Sequence, residues 1–158
     1  MKWAKNTRCL VKQAYGRVEL LRKVSEFSQI KDRLHIYKMF VRTVLEKSCV
    51  VWHSSLTLKN TRDLERVQKA CVKIITGGRL TYKEGLQDLN LETLKTRREM
   101  LTARFAKSCL KNERRKNMFT RNTKKHTMTL RKTKKYKETK RTTNRLYNST
   151  IPYMERLK

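Results

Sequence analysis

The spacing of apolar residues over positions 1 to 112 predicts helices, because these residues recur every three or four positions and show no strand alternation. Polar breaks divide the pattern into five runs, expected at about 3–24, 30–52, 61–76, 81–89 and 91–110. Each run has one apolar face, so the helices must pack on one another. The sequence predicts an all-α fold, a small helical bundle of four to five helices. The expected apolar faces are Leu10, Ala14, Val18 and Leu21; Ile30, Leu34, Tyr37, Val41 and Val44; Leu64, Val67, Cys71 and Ile74; Tyr82, Leu86 and Leu89; and Leu91, Leu94, Leu101 and Phe105.

Residues with known preferences for helix ends mark the limits of the later helices. Asn60 is a predicted N-cap of the third helix, because its side chain can accept a bond from a free backbone N–H. Gly77 is a predicted stop for the same helix, since glycine readily takes the left-handed conformation. Asn90 is the predicted N-cap of the fifth helix.

The composition changes after the fifth helix. Residues 113–147 are mostly Lys, Arg, Thr and Asn with isolated apolar residues, so we expect a basic, largely disordered tail. Residues 148–158 include Ile151, Tyr153, Met154 and Leu157, a small apolar set that is expected to dock back on the bundle. The predicted organisation is therefore a bundle at 1–112, a tail at 113–147 and a C-terminal segment at 148–158.

Two polar residues interrupt the apolar faces. Arg98 lies between Leu94 and Leu101, and Gln68 lies beside Leu64 and Cys71. A buried guanidinium needs hydrogen-bonding or charged partners. We therefore predict that the third and fifth helices pack together, with Arg98 bonded to Glu65 or Gln68 in a structural polar junction.

The charge of the chain indicates a polyanionic partner. The 158 residues contain 41 Lys and Arg against 13 Asp and Glu, a formal charge of +28. Such an excess destabilises the compact state by self-repulsion and favours partners such as RNA or DNA. No base-reading motif is present, so contacts to the nucleic-acid backbone are expected. The candidate phosphate-binding residues are Lys69 and Lys73 on the third helix and Lys124, Lys125, Lys134 and Lys135 in the tail.

The sequence offers little for catalysis or metal binding. Its three aspartates, Asp32, Asp63 and Asp88, are isolated from other acids, and phosphate-cradling glycine loops are missing. Cys49 and His53 have the spacing of half a metal site on a helix, without a second half. We expect no catalytic centre and no metal site. We also expect no small-molecule substrate and no membrane span. The four cysteines lack CxxC spacing and are expected to be free thiols.

Several blocks of the chain, in order, resemble the C-terminal part of reverse transcriptases from non-LTR (LINE-type) retrotransposons. These blocks are "WAKNTRCLVKQAYGRVELLRK", "VRTVLEKSCVVWHSSLT", "LERVQKACVKIITGG", "TYKEGLQDLNLETLKTRREMLTARFAKSCLKN" and "TKRTTNRLYNSTIPYMERLK". Their order and spacing carry the likeness, which covers nearly the whole chain. The final Leu-Lys differs from the Leu-Asn with which that reading frame commonly ends.

The resemblance implies a thumb-like region that follows the palm of a large RNA-directed DNA polymerase. The family's two magnesium ions are held by palm aspartates that have no counterpart here, so no catalytic residue is carried over and no cofactor is expected in this chain. The recurring Glu, Gln and paired Arg of the family match Glu65, Gln68, Arg97 and Arg98. The resemblance thus implies that Arg97 points outward and is available for phosphate, with the missing palm as the neighbour in a full-length parent.

Two other interpretations remain open from the sequence. The chain fits a free-standing basic nucleic-acid-binding protein of another class, such as a ribosome-associated one, because charge and tail suit both. It also fits a decayed element copy without function, since Met1 stands inside a block of the resemblance.

Overall fold

The computed structural model describes residues 3–119, 140 and 142–157, and this part of the chain is helical without any strand. The predicted all-α class is therefore confirmed. The helices are α1 (Ala4–Val24), α2 (Ile30–Ile36), α3 (Arg42–Glu46), α4 (Cys49–Trp52), α5 (Leu58–Ile75), α6 (Tyr82–Asp88), α7 (Leu94–Lys111), α8 (Glu113–Lys116), α9 (Asn144–Tyr147) and α10 (Thr150–Arg156), with a π-helical turn at Tyr37–Val41 and a 3₁₀ turn at His53–Ser55.

The pair α1 and α5 forms the centre of the bundle. The predicted face of α1 is buried throughout, from Leu10 to Leu21, and packs against the buried face of α5. Burial of each large aliphatic side chain stabilises the fold by roughly 1.5–3 kcal/mol, so this shared face is a main source of stability. Helices α2, α3, α6 and α7 each contact one or both members of this pair.

The predicted second helix at 30–52 is wrong as a single element. Helical structure runs from Ile30 to Glu46 and includes a π-helical turn. In that turn the carbonyl of Phe40 accepts a hydrogen bond from Arg17 (2.6 Å). The chain then turns sharply at Ser48, whose φ of 52° is left-handed. The Trp52 indole donates to the carbonyl of Lys47 (2.9 Å) and holds this turn. Neither glycine nor proline marks the break, so periodicity alone continues through it.

The ends of α5 differ in how well the sequence predicted them. Its N-cap is Thr57 rather than Asn60, and the Thr57 side chain accepts from the backbone N–H of Asn60. Its C-terminal stop is Gly77, as predicted, with φ of 65°. The N–H groups of Gly77 and Gly78 bond the carbonyls of Ile74 and Lys73, which is the Schellman arrangement.

Asn90 ends a helix instead of beginning one. Its φ of 48° is left-handed, and the next N–H, that of Leu91, bonds the carbonyl of Leu86 (2.8 Å). This closes α6 in the same Schellman manner as Gly77 closes α5. The N-cap of α7 is Thr93, whose hydroxyl accepts from the N–H of Thr96.

The buried face of α7 is also displaced from the prediction. Leu94 is buried, but the face continues through Arg98, Thr102, Ala106 and Cys109, whereas Phe105 is 36% exposed. Small and polar residues therefore occupy much of the side that α7 turns towards the bundle. This close packing brings α7 against both α4 and α5.

The C-terminal segment packs on the bundle. Thr150 donates to the carbonyl of Val51 (2.7 Å), and Ser55 donates to the carbonyl of Asn148 (2.7 Å). Met154 is buried beside Cys109 and Phe119 in a second, smaller apolar cluster. The helical turns α8 and α9 occupy the two ends of the predicted 113–147 tail. Residues 120–139 and 141 of that tail lie outside the described residues.

Two further observations concern the whole described chain. Its four cysteines are free, and all except Cys9 are buried, in line with the expectation from the sequence. Among the helices that the structure describes, none combines the length and the apolar character that a membrane crossing requires.

Candidate nucleic-acid interface

The outer face of α5 carries a continuous row of basic side chains. The members are spaced alternately three and four residues apart, which places them on one side of a helix. The row spans fourteen residue steps, or about 21 Å at the usual helical rise. All its members are exposed, and they are Lys59, Arg62, Arg66, Lys69 and Lys73.

The two α5 lysines named from the sequence therefore belong to a larger surface, here called the α5 row. The opposite face of the same helix, including Leu64, Val67 and Cys71, is buried in the core. Packing thus fixes the orientation of the row relative to the bundle. A rigid row of cations on one face is suited to a repeating anion such as a phosphate backbone.

The charge of the α5 row is offset at one position. Arg66 donates to Asp63 (3.1 Å), and these side chains are 72% and 31% exposed. An exposed pair of this kind stabilises by less than about 1 kcal/mol. Within the described part of the chain, the other four cations have no carboxylate at ion-pair distance, so the row stays strongly positive.

A groove lies between α1 and α5, at the N-terminal part of the row. Its volume is about 480 Å³. Its polar walls include Arg8 from α1 and Lys59, Asn60 and Arg66 from α5. Tyr15 stands in the same groove and is 41% exposed. Sequence reasoning missed this residue, because its accessibility depends on how α1 packs against α5.

The resemblance implies that Arg97 points outward and is available for phosphate, but the structure differs. Its guanidinium forms an ion pair and hydrogen bond with Glu46, at the end of α3. Arg42 also lies at 3.7 Å from the same carboxylate. The prediction is wrong because the start of α7 turns position 97 towards α3 rather than towards solvent. Arg97 therefore ties α7 to α3.

The three residues of the predicted polar junction, Glu65, Gln68 and Arg98, form bonds that differ from the prediction. Arg98 is fully buried, and its Nε donates to Nδ1 of His53 (3.4 Å) rather than to Glu65 or Gln68. Its guanidinium also lies 5.8 Å from the ring centre of Trp52. The predicted pairing is therefore wrong, because Arg98 reaches the turn after α4 instead of α5.

Glu65 and Gln68 bond the chain that enters α7. The Gln68 amide donates to the carbonyl of Glu92 (2.8 Å). Glu65 accepts from the Leu94 N–H (3.3 Å) and from the Tyr82 hydroxyl (2.5 Å). These contacts connect α5 with α6 and α7, so a structural role for both residues agrees with the geometry.

Burial changes the titration of this cluster. The pKa of His53 falls to about 4, because burial and the nearby cations Arg98 and Lys95 disfavour its charged form. Burial also lowers the pKa of Arg98, and the Glu65 carboxylate acts in the opposite direction. At neutral pH His53 is therefore an uncharged acceptor for the charged guanidinium.

The remaining expectations concern the tail lysines and the absence of a metal site. Lys124, Lys125, Lys134 and Lys135 lie outside the described residues. Among residues 3–119, 140 and 142–157, no group of three or more His, Cys, Asp or Glu side chains is arranged to hold a metal ion. The chain matches no protein-family model, no curated protein and no solved structure.

Proposed function

We infer that this chain is a non-catalytic, thumb-like module of a non-LTR reverse transcriptase, which holds a nucleic acid by its phosphate backbone. The observation that carries the proposal is the α5 row, five exposed cations on one face of a helix whose other face is in the core. Because the row consists of lysines and arginines and no base-reading motif accompanies it, its contacts with nucleic acid should depend only weakly on the nucleotide sequence.

The overall charge supports the same function. A formal charge of +28 exceeds what a solvated surface needs, and it opposes folding of the free chain. Each phosphate neutralised by Lys or Arg releases condensed counterions, which favours binding at low salt. A polyanion that covers the α5 row therefore reduces the repulsion among its cations, and binding also gains the entropy of the released counterions.

The packing around α5 supports a thumb-like role. Glu65 and Gln68, which match recurring residues of the resembled family, anchor α5 to the start of α7. They leave the opposite, basic face in solvent. In a full-length polymerase the palm would be the neighbour that carries the chemistry and its magnesium, and this module would position the template and primer.

A charge-reversal experiment tests the backbone binding. In Lys69→Glu/Lys73→Glu, we expect the Kd for a labelled RNA–DNA primer–template at low salt to rise by at least about 10-fold, since two phosphate contacts are lost. Fluorescence anisotropy measures this change. The matched control is Lys107→Glu/Lys111→Glu on α7, which has the same spacing, exposure and change in net charge.

The control distinguishes a specific surface from general attraction. Equal weakening in both variants would show that net charge alone drives binding and would contradict an interface at the α5 row. Absence of binding by the unmodified chain at low salt would overturn the whole function.

The retrotransposon origin has its own test. We expect the DNA immediately upstream of the Met1 codon to translate, even with frameshifts, into a palm with paired aspartates. A promoter and untranslated leader at that position would instead favour a free-standing basic nucleic-acid-binding protein.

A further inference from the structure

We propose that the groove between α1 and α5 binds an unstacked base of a single-stranded nucleic acid, with Tyr15 as its stacking platform. This inference rests on the proposed function, because it names the form of nucleic acid that the α5 row and its surroundings select. Arg8, Lys59 and Arg66 surround the groove and bind the phosphates that flank the base.

Tyr15 has the position that stacking requires. Arg8, Val11 and Tyr15 follow one another on the same side of α1, at spacings of three and four residues. Val11 is half-buried and lines the groove together with Tyr15, which is 41% exposed. A base that leaves its stack regains a stacking partner on an aromatic ring of this kind.

The size and polarity of the groove fit one nucleotide. Its volume of about 480 Å³ lies in the range of small-molecule sites. The half-buried Asn60 offers both a donor and an acceptor to a base edge. The Asp63 carboxylate, the one acid in the lining, is already engaged by Arg66 (3.1 Å), so the three cations leave the groove positive.

The continuation of the α5 row favours a polymer over a free nucleotide. From Arg66 the row extends to Lys69 and Lys73, about 10 Å further along the helix. Neighbouring phosphates of the same strand can follow these cations while one base enters the groove. A duplex keeps its bases stacked and offers none to Tyr15.

The experiment compares single and double strands on the full chain. Anisotropy is measured with a labelled oligothymidylate and with a mixed-sequence duplex at the same low salt. Tyr15→Ala is expected to raise the Kd for the single strand by about 10-fold and to leave that for the duplex unchanged. Tyr15→Phe keeps the ring and is expected to bind like the unmodified chain.

The control is Phe27→Ala, which removes another exposed aromatic, 91% exposed and twelve residues further along. It is expected to change neither affinity. Circular dichroism checks that each variant is folded. If Tyr15→Ala does not fold, Tyr15→Phe still tests the proposal, because a loss of single-strand affinity in that variant would contradict stacking.

The outcomes separate this inference from the function on which it rests. If Tyr15→Ala binds the single strand normally while Lys69→Glu/Lys73→Glu weakens binding, the base site is wrong and backbone binding stands. Loss of single-strand affinity in Tyr15→Phe would also overturn stacking, because the ring is retained. Competition by thymidine monophosphate at the same concentration of nucleotides as the oligomer would overturn the preference for a strand. If the unmodified chain binds neither nucleic acid, both proposals fail.

Discussion

Arg98 is held in the core with few partners for its charge. Its Nε donates to His53, but its two terminal nitrogens are buried without a hydrogen-bond partner in the described structure. Desolvation of a guanidinium costs several kcal/mol, whereas an apolar side chain of similar length avoids that cost. We therefore expect Arg98→Met to keep the free energy of unfolding or raise it by about 1 kcal/mol, as measured by urea denaturation.

Truncation at the same position provides the comparison. Arg98→Ala removes the charge and also leaves a cavity, so its free energy of unfolding should fall by about 2–4 kcal/mol. Equal losses in Arg98→Met and Arg98→Ala would contradict this expectation. They would show that the charge of Arg98, not its volume, stabilises the junction.

His53 makes the stability of the fold depend on pH. Its pKa is about 4 in the folded chain, against an ordinary value of 6.5. The unfolded chain therefore takes up a proton first as the pH falls. The contribution of His53 is complete above its unfolded pKa and is lost as the pH falls towards 4. Between about pH 7 and about pH 5, we expect the free energy of unfolding to decrease by about 1–2 kcal/mol from this group.

Urea denaturation at both pH values isolates the effect. His53→Gln, which retains an acceptor for Arg98, should lose this part of the pH dependence. His35→Gln, at an exposed position of α2, should retain it. An unchanged pH dependence in His53→Gln would place the titrating group elsewhere.

At the scale of the helices, two glycines lie in different surroundings. These surroundings determine how substitution by alanine changes the stability of the fold. A Cβ on Gly85 of α6 would lie 2.5 Å from Cγ1 of Val72 in α5, but one on Gly16 of α1 meets nothing within 4 Å. We expect Gly85→Ala to lower the free energy of unfolding by about 1–3 kcal/mol through overpacking. Gly16→Ala should raise it by about 0.5–1 kcal/mol through helix propensity. A stabilised Gly85→Ala in urea denaturation would show that α6 moves readily away from α5.

Periodicity predicted the elements whose burial follows a single face. The face of α1 and the stop of α5 at Gly77 came directly from residue spacing and glycine chemistry. The turn at Ser48 and the stop at Asn90 did not, because residues other than glycine rarely take the left-handed conformation and Asn also favours the N-cap position. The bond from the Trp52 indole to the Lys47 carbonyl supports the turn at Ser48, and apolar periodicity gives no sign of it.

The candidate interface was predicted to a similar extent. The exposed lysines of α5 follow from the helical period, since the opposite face is apolar. The engagement of Arg97 by Glu46 and the placement of Tyr15 in a groove depend on packing between helices that are distant in sequence. Such relations between helices are set by three-dimensional packing, which residue spacing within one helix does not contain.

On the scale of the whole molecule, the excess of positive charge links stability to binding. If an anionic strand binds as proposed, it offsets part of the repulsion that weakens the free bundle. A ligand that binds only the folded chain raises the midpoint of thermal unfolding, and the gain in stability grows with the logarithm of the ligand concentration above its Kd. The contributions of the bundle and of the basic tail to binding should therefore be compared in one measurement.

Salt dependence separates the contribution of the tail from that of the bundle. Lys124, Lys125, Lys134 and Lys135 are named from sequence alone, and Lys69 and Lys73 lie on the α5 row. If every one of these lysines contacts a phosphate, glutamine at the four tail positions should reduce the slope of log K against log salt on duplex DNA by about 3–4. Glutamine at the two α5 positions should reduce it by about 2. The six-residue variant should show the sum, because the two groups bind separate phosphates. An unchanged slope in the four-residue variant would remove the tail from the interface and leave the bundle as the binding surface.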